Sequence, residues 1–488
     1  MNASSTNRIE RFLKAGVLVR LLSLLPTALL PFTLPEVWRQ SVTIGVTLRY
    51  WNRWVFENGY AGKFLPAVLD AFDGSGIMPM EAPILNVVFA PIFALGPYYG
   101  KIAAVIAITL LQFGLLFAAH RIWKPRFGWS LLLLPFLSFT FGWFGKFTPD
   151  LVSMLMTLIG VGLLVNREPR SRNRSVAAIL IGLGILMKPT AIAVLPLLLL
   201  GLPITASRFE TKLIETVKRF WAPIAIPVAI AVAYYLFANP WIDRFRDTPA
   251  QFPVSFRDPW ATILGITDHP LAYFHVFHVR LFAPYLIYPV AILGFIRWAE
   301  ARRATSEREF KRENEWRTIG GVFALQLVIL TFLSGTHVFD HEYYFMALGP
   351  IASLAFARVL APNGSSLFDR EQGAVTRFFV GLIMLLVLVP NLEAVWISYK
   401  PLIRNSAELH LAAECRDLIQ SNPSAPFRKG VAFRSTPGPY TDLGICFGER
   451  EMSATAEWGF LRKEDSDLPG CETVDHRSMV RLVRCKSR

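Results

Sequence analysis

Residues 149–190 read PDLVSMLMTLIGVGLLVNREPRSRNRSVAAILIGLGILMKPT. Apolar runs flank a connection, residues 166–174, that carries four arginines. Arginine and lysine concentrate in the cytoplasmic loops of membrane proteins, so this connection is expected to be cytoplasmic. The flanking runs then form a transmembrane hairpin, with Asp150 and Lys188 at its outer end.

The composition indicates a membrane protein. The chain has 488 residues, of which 53% are hydrophobic, and its mean hydropathy is +0.40. Many windows reach the roughly 20 apolar residues that a transmembrane helix requires. The net charge of +14 fits basic cytoplasmic loops. Nucleic-acid binding is not favoured, because no basic run is interleaved with stacking aromatics in a soluble stretch.

The basic segments fix which end of each apolar run faces the cytoplasm. The N-terminus and residues 166–174, 208–219 and 297–317 are expected to be cytoplasmic. They predict an all-α polytopic membrane protein with about eleven crossings. The segment 82–97, which prolines interrupt, is predicted to dip into the outer leaflet or to lie against the bundle without crossing. The predicted crossings are 15–34, 100–119, 128–145, 149–165, 175–187, 189–204, 221–238, 282–297, 318–335, 342–360 and 378–397.

Two domains follow from this pattern. Residues 1–397 are predicted to form the membrane-embedded domain, with interfacial helices in the outer loop 36–81. Residues 398–488 are predicted to form a small α/β domain outside the cytoplasm. The elements predicted there are a helix at 406–420 and strands at 430–434 and 479–483.

All four cysteines lie in the small domain. An even number of cysteines in a short soluble domain favours disulfides and an oxidising compartment, and three pairings are possible. The alternative is four free thiols in a cytosolic tail. A zinc site is less favoured, because no Cys-x-x-Cys pair is present. The disulfide candidates are Cys415, Cys446, Cys471 and Cys485.

Ionisable residues gather at the predicted outer face, where such groups are costly and usually functional. Asp70 and Asp73 are candidates for a general base toward an acceptor hydroxyl. Glu81 and Asp150 are candidates to bind the acceptor, or a divalent cation such as Mg²⁺ or Mn²⁺ through their oxygens. The alternatives are a solvated loop with an aromatic belt, and a helix-capping role for Asp150.

Cationic and aromatic residues accompany these acids. Lys188 is suited to face a lipid phosphate, although snorkelling to the headgroups is an alternative. Arg280 is a candidate for a phosphate contact. The connection between two predicted crossings supplies further candidates for hydrogen bonds to a sugar or phosphate, with zinc binding as a less favoured alternative. These residues are His337, His341, Tyr343 and Tyr344.

Five short motifs resemble a known family. They are Trp38-Arg39-Gln40-Ser41-Val42-Thr43, Met80-Glu81-Ala82-Pro83-Ile84-Leu85, Pro149-Asp150, Met187-Lys188-Pro189-Thr190, and His341-Glu342-Tyr343-Tyr344 before Leu348-Gly349-Pro350. Their order and their places relative to the crossings are similar to the GT-C membrane glycosyltransferases. The branch that they resemble contains lipid A aminoarabinose transferases, lipopolysaccharide-core galacturonosyltransferases and relatives of protein O-mannosyltransferases.

The resemblance implies an inverting transfer at the outer membrane face, with Arg39 and Gln40 among the substrate-binding residues. It implies a first-loop carboxylate that activates the acceptor, and basic residues or a metal that stabilise the departing lipid phosphate. In the branch with the Trp-Arg-Gln motif, an aspartate commonly occupies the slot that is Val42 here. Either Asp70 or Asp73 therefore takes this role, or the activity is altered or lost.

We therefore expect a multi-pass glycosyltransferase, placed by resemblance in the bacterial inner membrane and cell envelope. It would move a sugar from a polyprenyl-phosphate donor onto a lipid, glycan or protein acceptor. Two alternatives are a transporter or flippase of lipid-linked glycans, and an inactive relative that binds glycolipids. A transporter would need a polar pathway at the bilayer midplane and often has inverted repeats; the sequence shows no repeat.

Overall fold

The computed structural model describes the helical part and a C-terminal sheet. The longer described ranges are 3–29, 81–137, 140–166, 171–201, 209–238, 307–334, 342–360, 458–463 and 470–485. The shorter ones are 40, 43–47, 50–51, 54, 292–295, 378, 381–382, 385, 414, 417–418, 421–422, 431–434, 446–449 and 467.

The described membrane part consists of α-helices joined by turns of 3₁₀-helix. The α-helices are α1 (Ala3–Leu24), α2 (Ile84–Phe89), α3 (Pro97–Phe127), α4 (Pro149–Asn166), α5 (Ser171–Met187), α6 (Phe209–Ala233), α7 (Glu307–Ser334) and α8 (Gly349–Leu360). The 3₁₀ segments are Leu25–Leu29, Ala90–Leu95, Ser130–Phe136, Phe141–Trp143, Pro189–Gly201 and Glu342–Leu348, and a π-helical turn, Tyr234–Ala238, ends α6.

Within the part of the chain that the structure describes, four helical stretches are long and apolar enough to cross a membrane, which supports the predicted multi-pass protein. They are Ile9–Leu29, Tyr99–Phe127, Ile214–Phe237 and Glu315–Leu333. The number of about eleven crossings is not confirmed, because several predicted spans are short helices or lie outside the described residues.

Two predicted spans, 128–145 and 189–204, are largely 3₁₀-helix rather than α-helix. The longest 3₁₀ segment of each span contains an internal proline, Pro135 in the first span and Pro196 in the second. Proline has no backbone N–H and its ring clashes with the carbonyl four residues earlier, so it disfavours a regular α-helix. The segment 82–97 is likewise broken into α2 and a 3₁₀ turn, with Pro91 at the break.

The predicted hairpin of residues 149–190 is present as α4 and α5. Its helices approach closely because glycines face backbone atoms of the neighbouring helix. A Cβ atom at Gly160 would lie 2.8 Å from the carbonyl oxygen of Ala177, and one at Gly184 would lie 2.7 Å from that of Ser153. Small residues that let helix backbones meet are a common basis of packing in membranes.

An ion cluster links α1 to α3 at the end that the charge pattern places in the cytoplasm. The carboxylate of Glu10 lies 2.7 Å from the ammonium of Lys14 and 2.9 Å from that of Lys124. The imidazole of His120 lies 3.3 Å from the same carboxylate. Residues 209–219, in a segment that the charge pattern places in the cytoplasm, form the start of α6, which continues into an apolar span.

The described strands of the C-terminal region form one five-stranded sheet with order β2-β1-β3-β5-β4. β1 pairs in parallel with β2 and β3, whereas β3, β5 and β4 pair antiparallel. The two predicted strands are confirmed as β1 and β5. The strands are β1 (Val431–Arg434), β2 (Cys446–Glu449), β3 (Trp458–Arg462), β4 (Cys471–His476) and β5 (Val480–Cys485).

The register of β4 and β5 places Cys471 opposite Cys485. Cys446 begins β2, at the other edge of the sheet, and Cys415 lies outside the described residues. The predicted disulfides and the boundary between residues 397 and 398 stay predictions. Most of the predicted helix 406–420 also lies outside the described residues.

We predict that Gly184→Ala destabilises the protein by about 1–3 kcal/mol, because the added methyl group overlaps backbone of α4. The measurement is thermal unfolding of the full-length protein in detergent, followed by tryptophan fluorescence. The matched control is Gly114→Ala in α3, where a Cβ atom would meet nothing within 4 Å. The control is expected to be neutral, or stabilising by up to about 1 kcal/mol. Equal stability of the two variants would contradict the close packing.

Candidate active site

Three of the predicted site residues, Glu81, Asp150 and Lys188, meet at one end of the α4–α5 hairpin. Asp150 lies in the first turn of α4. Lys188 directly follows α5 and precedes Pro189, and residues before proline avoid the helical conformation. The hairpin therefore brings these two residues together although they are distant in sequence. Glu81 comes from the segment just before α2.

The ammonium of Lys188 lies between the two carboxylates. Its Nζ atom is 2.5 Å from Oε1 of Glu81 and 3.4 Å from Oδ1 of Asp150. The side chains of Lys188 and Asp150 are 4% and 2% exposed, and that of Glu81 is 14% exposed. Burial of any of these charges alone would be costly, so their mutual compensation makes the cluster possible. Glu81 is its most accessible member.

Backbone contacts hold Glu81 beside the hairpin. The N–H group of Ala82 donates a hydrogen bond of 3.1 Å to the carbonyl oxygen of Leu186. The hydroxyl of Tyr235 donates one of 2.8 Å to the same oxygen. Leu186 lies in the last turn of α5, where helix carbonyls have no partner within the helix. The end of α5 thus anchors both the Glu81 segment and α6.

Aromatic rings border the cluster. Nζ of Lys188 lies 5.0 Å from the centre of the Tyr344 ring, which is within the range of a cation–π interaction. Tyr234 packs edge-on against Tyr235, with ring centres 5.3 Å apart. Both tyrosines lie in the π-helical turn that ends α6, and such turns are frequent at functional sites.

The sequence analysis did not single out Tyr234 and Tyr235. Two consecutive tyrosines at the end of an apolar span could have indicated a site, but an interfacial aromatic belt has the same pattern. The contact of Tyr235 with Leu186 joins residues that are far apart in sequence.

Gln40, another predicted site residue, is buried, with 2% of its surface exposed. The backbone of Tyr343 lies in the 3₁₀ segment Glu342–Leu348, but its side chain is outside the described part. The roles of the remaining candidates stay predictions, because they fall in ranges that the structure does not describe. These residues are Arg39, Asp70, Asp73, Arg280, His337 and His341.

The predicted metal ligands Glu81 and Asp150 both contact an ammonium. Within the described ranges, no group of three His, Cys, Asp or Glu side chains has the arrangement of a metal site. A divalent cation bound by these carboxylates would compete with Lys188 for the same oxygens and would need further ligands from elsewhere in the chain. The divalent cation stays a prediction.

The arrangement can bind a phosphate and hold polar hydroxyls. Lys188 is a point charge of the kind that binds phosphates, and its position is fixed by two carboxylates. Carboxylates and tyrosines accept or donate hydrogen bonds to sugar hydroxyls. The cluster therefore combines groups for an anionic and a neutral polar part of one ligand.

Neither a protein-family model nor a curated protein matches the sequence. Among solved structures, the chain is similar to the crystal structure of ArnT from Cupriavidus metallidurans bound to undecaprenyl phosphate. The similarity covers 97% of each chain, with 11% sequence identity and a TM-score of 0.45. At this identity and TM-score, the match assigns neither a family nor an activity to the chain.

We predict energetic coupling between Lys188 and Asp150. Lys188→Met alone is expected to destabilise the protein by about 3–5 kcal/mol, because it leaves buried carboxylates without their ammonium. Asp150→Asn should offset part of this loss, so that the double variant deviates from additivity by more than about 1 kcal/mol. The measurement is thermal unfolding of the two single variants and the double variant.

The matched control is the ion pair of Asp467 and Arg481, in which the Asp467 side chain is 85% exposed. Removal of this pair should show little coupling, because solvent screens exposed charges. Additive effects of the Lys188 and Asp150 substitutions would contradict a compensated cluster.

Proposed function

We propose that the chain is an integral membrane glycosyltransferase. It transfers a sugar from a polyprenyl-phosphate-linked donor to a lipid, glycan or protein acceptor at the outer face of the membrane. The observation that carries the proposal is the ammonium of Lys188, held between Glu81 and Asp150 and beside the ring of Tyr344. The sequence motifs that contain these residues support it independently.

Lys188 binds the phosphate of the donor in this proposal. The positive charge stabilises the lipid phosphate as it departs, and such stabilisation of developing charge is usually the largest catalytic contribution. Glu81 and Asp150 keep the ammonium in place. Glu81, as the most exposed of the three, also offers an oxygen to a sugar or acceptor hydroxyl.

Asp70 or Asp73 acts as the general base. The carboxylate takes the proton of the acceptor hydroxyl, whose oxygen forms a bond to the anomeric carbon of the sugar. The bond between that carbon and the phosphate oxygen breaks, and the lipid phosphate leaves with the electron pair. Attack from the face opposite to the phosphate inverts the configuration of the anomeric carbon.

Two other functions remain open. A flippase would carry the lipid-linked glycan across the membrane without breaking a bond. An inactive relative would bind the glycolipid without transfer, and Val42, in the slot of the usual aspartate, favours this alternative. Both share the phosphate-binding role of Lys188, so only the chemical step separates them from the enzyme.

The deciding experiment incubates the purified full-length protein with polyprenyl-phosphate sugars that carry a radiolabelled sugar, and with membrane extracts as acceptors. Transfer of label to an acceptor, lost in Lys188→Gln, supports the enzyme. Movement of intact donor between the leaflets of proteoliposomes, without transfer, supports the flippase. Donor binding with neither result supports the inactive relative.

We predict that one of Asp70→Asn and Asp73→Asn abolishes transfer while expression stays normal. Loss of a positioned base typically costs about 10²–10⁴ in rate. The measurement is the initial rate of label transfer by each single variant and the double variant. Glu472→Gln, on the exposed side of β4, is a control that should retain the full rate. Normal transfer by both single variants and the double variant would reject this assignment.

A further inference from the structure

A buried glutamine lies near the middle of α3. Gln112 belongs to the stretch Tyr99–Phe127, which is long and apolar enough to cross a membrane, and it is 0% exposed. An amide at such a place must find its hydrogen-bond partners within the protein, because lipid chains offer none. The partners of its two polar atoms therefore indicate what this residue does.

Both polar atoms of the Gln112 side chain bind the main chain of the turn that precedes α4. The N–H group of Gly145 donates a hydrogen bond of 2.8 Å to Oε1, and Nε2 donates one of 3.0 Å to the carbonyl oxygen of Lys146. The same carbonyl oxygen accepts a hydrogen bond of 2.9 Å from the N–H group of Thr148. A chain of hydrogen bonds thus leads from α3 to a point two residues before Asp150.

The turn, residues 144–148, lies between the 3₁₀ segment Phe141–Trp143 and α4. Gly145 has a φ of +81°, in the left-handed region that favours glycine. Buried main-chain groups outside helices and strands need partners from elsewhere. The amide of Gln112 supplies one acceptor and one donor to this turn. The position of the turn therefore depends on a side chain from another helix.

A second contact of the same kind holds α4 farther along its length. Nε1 of Trp123 donates a hydrogen bond of 2.8 Å to the carbonyl oxygen of Leu158. Trp123 follows Gln112 by about three helical turns, and Leu158 follows Lys146 by a similar number of residues. α3 and α4 thus run side by side in one register. This register sets the position of the first turn of α4, which contains Asp150.

The turn also contacts the element that follows Glu81. The ring of Phe147 packs edge-on against the ring of Phe89 in α2, with ring centres 5.3 Å apart. Glu81 lies just before α2. A displacement of the turn would therefore move Asp150 and would also disturb the packing near Glu81.

We propose that Gln112 is a positioning residue of the candidate site, which holds Asp150 beside the ammonium of Lys188 through the turn 144–148. Oδ1 of Asp150 lies 3.4 Å from Nζ of Lys188, and both side chains are buried. Their attraction is poorly screened by solvent, so it depends strongly on distance. The alternative is that Gln112 only joins two helices, as polar residues in membrane proteins often do. In that case its amide contributes to stability without affecting the interaction between Asp150 and Lys188.

The test measures this interaction with and without the Gln112 amide. Lys188→Met, Asp150→Asn and the double variant are prepared in the full-length protein and again in Gln112→Met, which has a similar volume but lacks the amide. Unfolding temperatures in detergent give the non-additivity of the two substitutions in each background. We expect Gln112→Met to reduce this non-additivity to less than about half, because it removes a member of the same network. Unchanged non-additivity would show a merely structural role and overturn the proposal.

Gln326→Met is the matched control. Gln326 is also 0% exposed, lies in the apolar part of α7 and donates a hydrogen bond of 3.2 Å to the carbonyl oxygen of Ala347. Its substitution should lower the unfolding temperature but leave the non-additivity of Lys188 and Asp150 intact. Equal losses of non-additivity in Gln112→Met and Gln326→Met would deny Gln112 a specific role.

A pair of glycine variants changes the turn without removal of a buried polar group. Gly145 has a φ of +81° and Gly128, at the end of α3, has a φ of +58°, so alanine is strained at both positions. Gly145→Ala should reduce the non-additivity of Lys188 and Asp150, whereas Gly128→Ala should not. This pair decides the question if Gln112→Met does not fold. No difference between the two glycine variants would then count against the turn as the positioning element.

The consequence for the donor rests on the proposed function and is measured with polyprenyl phosphate that carries no sugar. Gln112→Met is expected to raise the Kd of this lipid roughly tenfold, because a misplaced ammonium loses much of a charge-assisted hydrogen bond. Gly128→Ala should leave the Kd unchanged. Reduced non-additivity with an unchanged Kd would support the positioning role and contradict phosphate binding at Lys188, so the two proposals fail separately.

Discussion

The contact of the Lys188 ammonium with Glu81 and Asp150 is the constraint on which the candidate site depends. Each of these charges would be expensive at the level of a membrane without the others. The contact joins three parts of the chain, and the two that are farthest apart, at Glu81 and Lys188, are separated by 107 positions. Because the α4–α5 hairpin is closely packed through glycines, this end of the hairpin is a firm platform for a ligand.

Sequence alone predicted the hairpin and placed Asp150 and Lys188 at the same end of it, because four arginines mark the connection at the opposite end. The contact with Glu81 did not follow from any local pattern, since it depends on how the segment before α2 returns to α5. The π-helical turn with Tyr234 and Tyr235 was missed because an interfacial aromatic belt has the same sequence pattern. The apolar runs also predicted transmembrane α-helices at two places where the segments that contain Pro135 and Pro196 form 3₁₀-helix.

The charged side chains of the candidate site compensate one another. At Lys188 the protein supplies its own counter-charges, so the site is compensated before a ligand arrives.

The junction at Leu186 relies on a main-chain oxygen, which accepts from the Ala82 amide and the Tyr235 hydroxyl. Every amino acid carries that oxygen. A different side chain at position 186 would therefore leave these two hydrogen bonds intact, and the residue type at this position does not indicate that they exist. Sequences can therefore diverge and keep such an architecture while they lose the sequence similarity by which relatives are recognised.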